Sequence, residues 1–163
     1  MKVKEIMSNG ATSCDLNVSL ADAAKLMWDG DCGVLPVLKE GTELVGMITD
    51  RDICMATAMR DRNSSSISVE EVITGDVYKA TPEEDVLSAM ETMRLKKVRR
   101  LPVVEEGKLV GILSLNDIVL NAKGREGKKV AELTFEDVVG TFKAICAHPV
   151  PVKESDKSMP ATA

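Results

Sequence analysis

A chain of 163 residues with 44% hydrophobic and 29% charged side chains has the composition of a folded globular protein of one or two small units, which excludes a large multidomain enzyme, a fibre and a disordered polymer. The net charge of −5 offers no electropositive field to a phosphate polymer, and an aromatic content of 2% leaves almost nothing to stack on splayed bases, so nucleic acid is excluded and any bound ring has to be held by aliphatic side chains. Apolar runs such as Val34 to Leu38 fall far short of the ~18 residues of a bilayer crossing, and the opening Met1-Lys-Val-Lys-Glu-Ile-Met has no secretory-signal character, so no membrane contact is expected and the compartment is the cytoplasm.

In chain order, a short strand is expected near Thr12 to Cys14. Ser19 then caps a helix whose apolar stripe is Leu20, Ala23, Ala24 and Met27. Val34 to Leu38 and Leu44 to Thr49 form a hairpin across Glu-Gly-Thr, and a second helix follows from about Arg51 to Met59. Asp61-Arg-Asn-Ser-Ser-Ser is a polar linker with no packing signal. The order then repeats: a strand near Val77 to Ala80, and a helix opened by Thr81-Pro82-Glu83-Glu84 with Val86, Ala89, Met90 and Met93 as its stripe. A hairpin of Arg100 to Val104 and Leu109 to Ser114 comes next, then a helix from about Asn116 to Ala122. After the turn-rich Gly124-Arg-Glu-Gly-Lys-Lys, apolar residues at 135, 138, 139, 142, 145 and 146 mark one more amphipathic helix, which either docks on the rest or supplies a dimer contact. The remainder, with Pro149, Pro151 and Pro160, is expected to be disordered.

The repetition extends to residue identity. Gly33-Val-Leu-Pro-Val-Leu-Lys-Glu-Gly returns about 66 residues later as Arg99-Arg-Leu-Pro-Val-Val-Glu-Glu-Gly, and once Thr42 is skipped the match continues through Gly46/Gly111, Asp52/Asp117 and Ile53/Ile118. The chain is a tandem duplication of a β-α-β-β-α unit. A half of roughly sixty residues buries too little apolar surface for comfortable stability, so the fold class is α/β (α+β), with two units packed through their sheets about a pseudo-twofold. The expected division is residues 3–60 and 69–122 for the repeats, 61–68 for the linker, 123–148 for the bridge and last helix, and 149–163 for the tail.

The informative residues end each second hairpin strand: Gly46-Met-Ile-Thr49-Asp-Arg-Asp52 and Gly111-Ile-Leu-Ser114-Leu-Asn-Asp117. Two uses fit this pattern. A strand-to-helix junction presents backbone N–H groups and a hydroxyl to a phosphate while the Asp accepts hydrogen bonds from a ribose diol; alternatively, the hydroxyls are N-caps and the carboxylates complement helix dipoles. Recurrence in both copies argues for the ligand.

The pattern Leu-Pro-Val, Leu-Val-Gly, then Gly, two apolar residues, Thr or Ser, two more and Asp, twice in tandem over about residues 3 to 122, resembles a pair of cystathionine β-synthase (CBS) domains, a Bateman module. It is also similar, through the Lys-Ala-Ile-Cys string near its end, to small stand-alone proteins of the bacterial hypoxic-response type. The resemblance implies two clefts between the repeats that take AMP, ADP, ATP or S-adenosylmethionine. In them Asp52 and Asp117 bind ribose, Thr49 and Ser114 touch ribose or phosphate, Met47 and Ile112 flank the adenine, and backbone near Thr12 and Val77 reads its edge. Arg99 and Arg100, with Lys96 and Lys97 nearby, stand where adenylate binders place phosphate-binding cations; a charged, solvated edge strand is the other reading. The first copy has Cys32-Gly33-Val34 there, so the cleft with Asp117, Arg99 and Arg100 is expected to be the better phosphate site.

Catalytic parts are missing from the sequence: there is no Gly-x-Ser-x-Gly, P-loop lysine or HExxH, and Cys146 with His148 does not complete a metal site. The four cysteines are never at CxxC spacing and read as core hydrophobes. The implied function is a non-enzymatic, cytoplasmic regulatory module, homodimeric, which binds an adenine nucleotide and acts on an unknown regulated protein. The alternative is a dimeric stress-related scaffold that leaves its clefts unused.

Overall fold

A computed structural model describes residues 1–73, 77–124 and 132–147; the expected tail, with His148, lies outside the described residues. The first half contains β1 (Ser8–Asn9), β2 (Cys14–Asp15), α1 (Leu20–Asp29), β3 (Val34–Lys39), β4 (Glu43–Thr49) and α2 (Asp50–Arg60). The second contains α3 (Val86–Lys96), β5 (Arg100–Glu105), β6 (Lys108–Ser114) and α4 (Leu115–Asn121), followed by α5 (Phe135–Cys146). Two three-stranded sheets result, ordered β2-β3-β4 and β1-β6-β5, and β4 and β6 face each other across the contact between the halves.

Local chemistry accounts for most elements. The Ser19 hydroxyl accepts the Asp22 N–H to start α1, and Thr49 and Ser114 do the same for α2 and α4, so both helices begin one residue earlier than the periodicity suggests. In the second hairpin Glu106 and Gly107 both take positive φ, +48° and +81°, the geometry of a two-residue turn that matches strand twist; Glu40 and Gly41 reproduce it in the first, where Thr42 adds the extra residue.

The sheet order shows an exchange. β1 leaves the first half and pairs antiparallel with β6, Ser8 opposite Ile112, and the single turn of 3-10 helix before it, Val3–Glu5, buries Val3 completely in the core of the second half with Leu101, Leu113 and Ile118. The segment about 66 residues later does the reverse. Ile67 and Val69, 1% and 0% exposed, sit in the core of the first half with Leu20, Leu35 and Ile48, and Val69 N–H donates to Val18 O. The linker therefore packs: Ser64–Ser66 forms a 3-10 turn against α1, and Arg60 and Arg62 both pair with Glu71.

The exchange corrects three expected boundaries. The first leading strand is Cys14–Asp15, and its counterpart is reduced to one parallel bridge, Ala80 to Val103. The helix placed at Thr81 begins at Val86, with Asp85 as N-cap accepting the Leu87 N–H. The carbonyls of Pro82 and Glu84, which a longer helix would use internally, instead accept Lys4 and Val3 N–H groups from the N-terminal segment. Asp85 is the counterpart of Ser19, so the duplication itself carried the correct start.

The last helix takes the docking alternative. Val138, Thr141 and Ile145 are buried along α3 and against α4, while Phe135, Val139 and Phe142 remain uncovered.

Candidate functional site

The two strand-to-helix junctions are alike. At the first, Thr49 N–H and hydroxyl donate to Asp52 Oδ2 at 2.9 and 2.7 Å, and Asp52 N–H donates back to Thr49 Oγ1 at 3.2 Å. At the second, Ser114 N–H and hydroxyl donate to Asp117 Oδ2 at 2.7 and 2.6 Å, with the return bond at 3.3 Å. Each hydroxyl and Asp thus form a capping box, which fixes the spacing of the motif. Thr134 and Asp137 form the same box at the start of α5, so the box alone says nothing of a ligand. What matters is where it stands.

The Asp117 junction faces a cavity of about 370 Å³. Its floor is the second half: Ile112 and Ser114 on β6, Arg100 opposite Ser114 on β5, and Asn116 and Asp117 at the start of α4. Its walls come from the first part of the chain, namely Ser8 on the exchanged β1, Ala11 and Thr12 after it, and the Gly30–Val34 loop with Pro36. Of the predicted residues, Asp117, Ser114, Ile112, Arg100 and Thr12 are therefore brought together. Arg99, exposed and one residue before β5, does not line this cavity; it lines a neighbouring hollow of about 130 Å³ with Leu115 and Phe142, to which Arg100, Ser114 and Asn116 also contribute.

Met47, Thr49 and Asp52 occupy the equivalent junction of the other half, with Pro36 opposite Met47 and Val34 opposite Thr49 where the second half has Arg100. Ile73 lies against Gly46 as Ser8 and Met7 lie against Gly111, so the same approach of a preceding segment recurs; residues 74–76 lie outside the described residues. Two other predicted cations have partners within the fold. The Lys96 ammonium stands 4.8 Å from the centre of the Tyr78 ring, and Lys97 donates to the carbonyl of Ala147 beyond α5.

Sequence reasoning missed Ser8, whose hydroxyl donates to Asp117 Oδ1 at 3.2 Å, and the acidic Asp31 on the cavity wall. Neither has a local signal, because both reach the site through the packing of one half on the other. The cavity thus holds one guanidinium, that of Arg100, facing the carboxylates of Asp31 and Asp117. Among the described residues no carboxylate forms an ion pair with Arg100. Also among them, no group of three or more His, Cys, Asp and Glu side chains is placed to hold a metal, and no helix is long and apolar enough to cross a membrane. All four cysteines are free thiols. Burial, then the nearby Asp15, pushes that of Cys14 up to about 11.

Comparison with known proteins agrees with this architecture. The CBS domain family matches twice, at residues 3–58 and 69–124. The CBS domain-containing protein YhcV of Bacillus subtilis is 30% identical over 138 residues, spanning 83% of this chain and 97% of that protein. Hypoxic response protein 1 of Mycobacterium tuberculosis is 30% identical over 144 residues, 88% and 93% of the two chains. Among solved structures, Hypoxic Response Protein I with two coordinated zinc ions superposes with a TM-score of 0.69 at 28% identity, covering 76% of this chain and 100% of that one. The CBS domain pair of MJ0100, in complex with 5′-methylthioadenosine and S-adenosyl-L-methionine, superposes with a TM-score of 0.67 at 30% identity, covering 74% and 94%.

Proposed function

This chain belongs to the CBS-domain family, with two such domains in tandem, and on that premise we propose that it is a cytoplasmic, non-enzymatic regulatory module that binds an adenosine-containing ligand, AMP, ADP, ATP or S-adenosylmethionine, at the Asp117 cavity. The observation that carries this reading is the convergence of a ribose-competent carboxylate, the Ser114 hydroxyl, an apolar ring wall at Ile112 and the Arg100 guanidinium, which has no ion pair among the described residues, around one hollow of about 370 Å³. Its chemistry suits the ligands of the MJ0100 pair. Asp117 accepts the diol, Ile112 and Pro36 sandwich the base in place of aromatic residues, and Arg100 takes a phosphate or the carboxylate of a methionyl group.

Both halves of the chain line this hollow, so a ligand there changes the preferred disposition of one repeat against the other. A regulator needs such differential affinity for two arrangements and no catalytic residue. The second cleft, at Asp52, is proposed as the weaker site, because Val34 replaces Arg100 beside Thr49. The module is proposed to be a homodimer, with the uncovered Phe135, Val139 and Phe142 of α5 as its contact.

Calorimetric titration with AMP, ADP, ATP, S-adenosylmethionine and 5′-methylthioadenosine tests the assignment. At least one binds saturably, and Arg100→Ala weakens the phosphorylated or carboxylate-bearing ligands by about tenfold or more while sparing 5′-methylthioadenosine. One observation favours the alternative, a dimeric scaffold with unused clefts: both oxygens of Asp117 already accept hydrogen bonds within the protein. Heat-free titrations across the whole panel establish that reading instead.

A further inference from the structure

Three charged side chains line the Asp117 cavity, and they come from both halves of the chain: Arg100 and Asp117 from the second, Asp31 from the loop after α1 in the first. The two carboxylates differ in engagement. Asp117 accepts the Ser8 hydroxyl on one oxygen and the Ser114 hydroxyl on the other. Asp31 is exposed, and among the described residues its carboxylate has neither an ion pair nor a hydrogen-bond donor.

The turn itself does not demand an acid at this position. Asp31 takes the left-handed conformation, at φ +47°, which aspartate adopts more readily than most residues; yet its counterpart in the second half, Lys97, takes the same conformation at +55°. The two copies therefore share the backbone and differ in charge. Lys97 is used on the Ala147 carbonyl, whereas Asp31 stands on the wall of a ligand cavity. An anion held by Arg100 shares that hollow with Asp31, and like charges placed together lower affinity. A ligand that carries a cation beside its anion gains at both ends.

We propose that Asp31 makes the cavity selective for an adenosyl amino acid, a zwitterion whose carboxylate lies on Arg100 and whose ammonium or sulfonium lies towards Asp31, over the purely anionic nucleotides AMP, ADP and ATP. This selectivity presupposes that the cavity is an adenosyl site and narrows the ligand it takes. Such a ligand bridges the halves, because its two charges are read by residues of different repeats. A nucleotide avoids Asp31 only by turning its phosphates into the adjoining hollow of about 130 Å³, which Arg99 lines with Arg100, Ser114 and Asn116.

Four probes separate the charges: S-adenosylmethionine has the sulfonium and the amino-acid zwitterion, S-adenosylhomocysteine the zwitterion alone, 5′-methylthioadenosine neither, and AMP only an anion. Each is titrated calorimetrically into the full-length protein, wild type, Asp31→Asn and Asp31→Lys, the last copying the residue of the second half. In wild type the two adenosyl amino acids bind at about fivefold lower concentration than AMP. Asp31→Asn weakens both by about threefold to fivefold, leaves 5′-methylthioadenosine unchanged and tightens AMP, and Asp31→Lys reverses the order of S-adenosylmethionine and AMP. Equal effects of Asp31→Asn on all four probes, or no effect on any, overturn the proposal. So does AMP or ATP binding more tightly to wild type than either adenosyl amino acid, and a loss of that binding in Arg99→Ala then assigns the phosphates to the smaller hollow. In each of these cases loss of binding in Asp117→Ala keeps the cavity as an adenosyl site; heat-free titrations with every probe overturn both readings.

Discussion

Asp117→Ala removes a helix-starting device and a ligand contact together, and the pseudo-symmetric Asp52→Ala separates them. Asp117 accepts three side-chain or main-chain donors, the Ser114 N–H and hydroxyl and the Ser8 hydroxyl; among the described residues Asp52 accepts the two equivalents from Thr49. Loss of either capping box costs about 1 kcal/mol. The additional Ser8 bond, at 3.2 Å and partly open to water, adds roughly 0.5–1.5 kcal/mol for Asp117. Urea unfolding at neutral pH should therefore give a larger loss for Asp117→Ala than for Asp52→Ala, with Ser8→Ala recovering the difference. Repeated with a binding adenosyl ligand at about 100 times its Kd, wild type and Asp52→Ala each gain about 2.7 kcal/mol and Asp117→Ala gains nothing. Equal losses for the two carboxylates, or an undiminished gain in Asp117→Ala, would refute the reasoning.

Val3→Ala deletes two methyl groups from a fully buried position and should cost about 2 kcal/mol; hydrogen exchange then shows lost protection at Leu101 and Ile118 in the second half, whereas loss confined to the first half would contradict the exchange. Gly111→Ala places a methyl group 2.5 Å from the Ser8 carbonyl and must push β1 away, while in Gly46→Ala the group meets the tip of the Ile73 side chain at 2.6 Å, which can turn. The first should lower the thermal midpoint more, and the reverse order would argue against a rigid β1–β6 pair. Cys14 is protonated well above the ordinary thiol range, so alkylation at pH 8 labels exposed Cys54 and Cys146 first and reaches Cys14 only on unfolding. Because the thiol titrates near 9.0 when unfolded and about 11 when folded, its protonated form supports the fold fully below pH 9 and that contribution fades as pH rises towards 11, measurable as a falling urea midpoint that Cys14→Ala flattens.

Each half was legible where a residue acts on its near neighbours. The N-caps at Ser19, Thr49 and Ser114, the Glu-Gly turns and the Val/Leu/Ile strands need only a few residues of context, and the duplication checked them twice. The helix start at Val86 was obscured because Pro82 and two glutamates make a good first turn locally, and only the N-terminal segment, by capturing the carbonyls of Pro82 and Glu84, prevents it. The candidate site divides in the same way. Arg100, Ile112, Ser114 and Asp117 come from one hairpin and its following helix, and so were visible as a motif. Ser8 and Asp31 lie far from them in sequence, and Arg99, which looked equivalent to Arg100, meets it only in the smaller neighbouring hollow.

From the order of residues alone came the repeated unit, its hairpins and caps, and the family to which they belong, since these rest on interactions spanning a few residues and on a pattern written twice. Tertiary packing alone decided that each half completes the other's core, that one carboxylate is shared with the exchanged N-terminal strand, and that α5 covers one helix pair and leaves its twin open. Those outcomes depend on which apolar surfaces meet and which backbone groups compete for the same carbonyl, and no short stretch of sequence contains both partners.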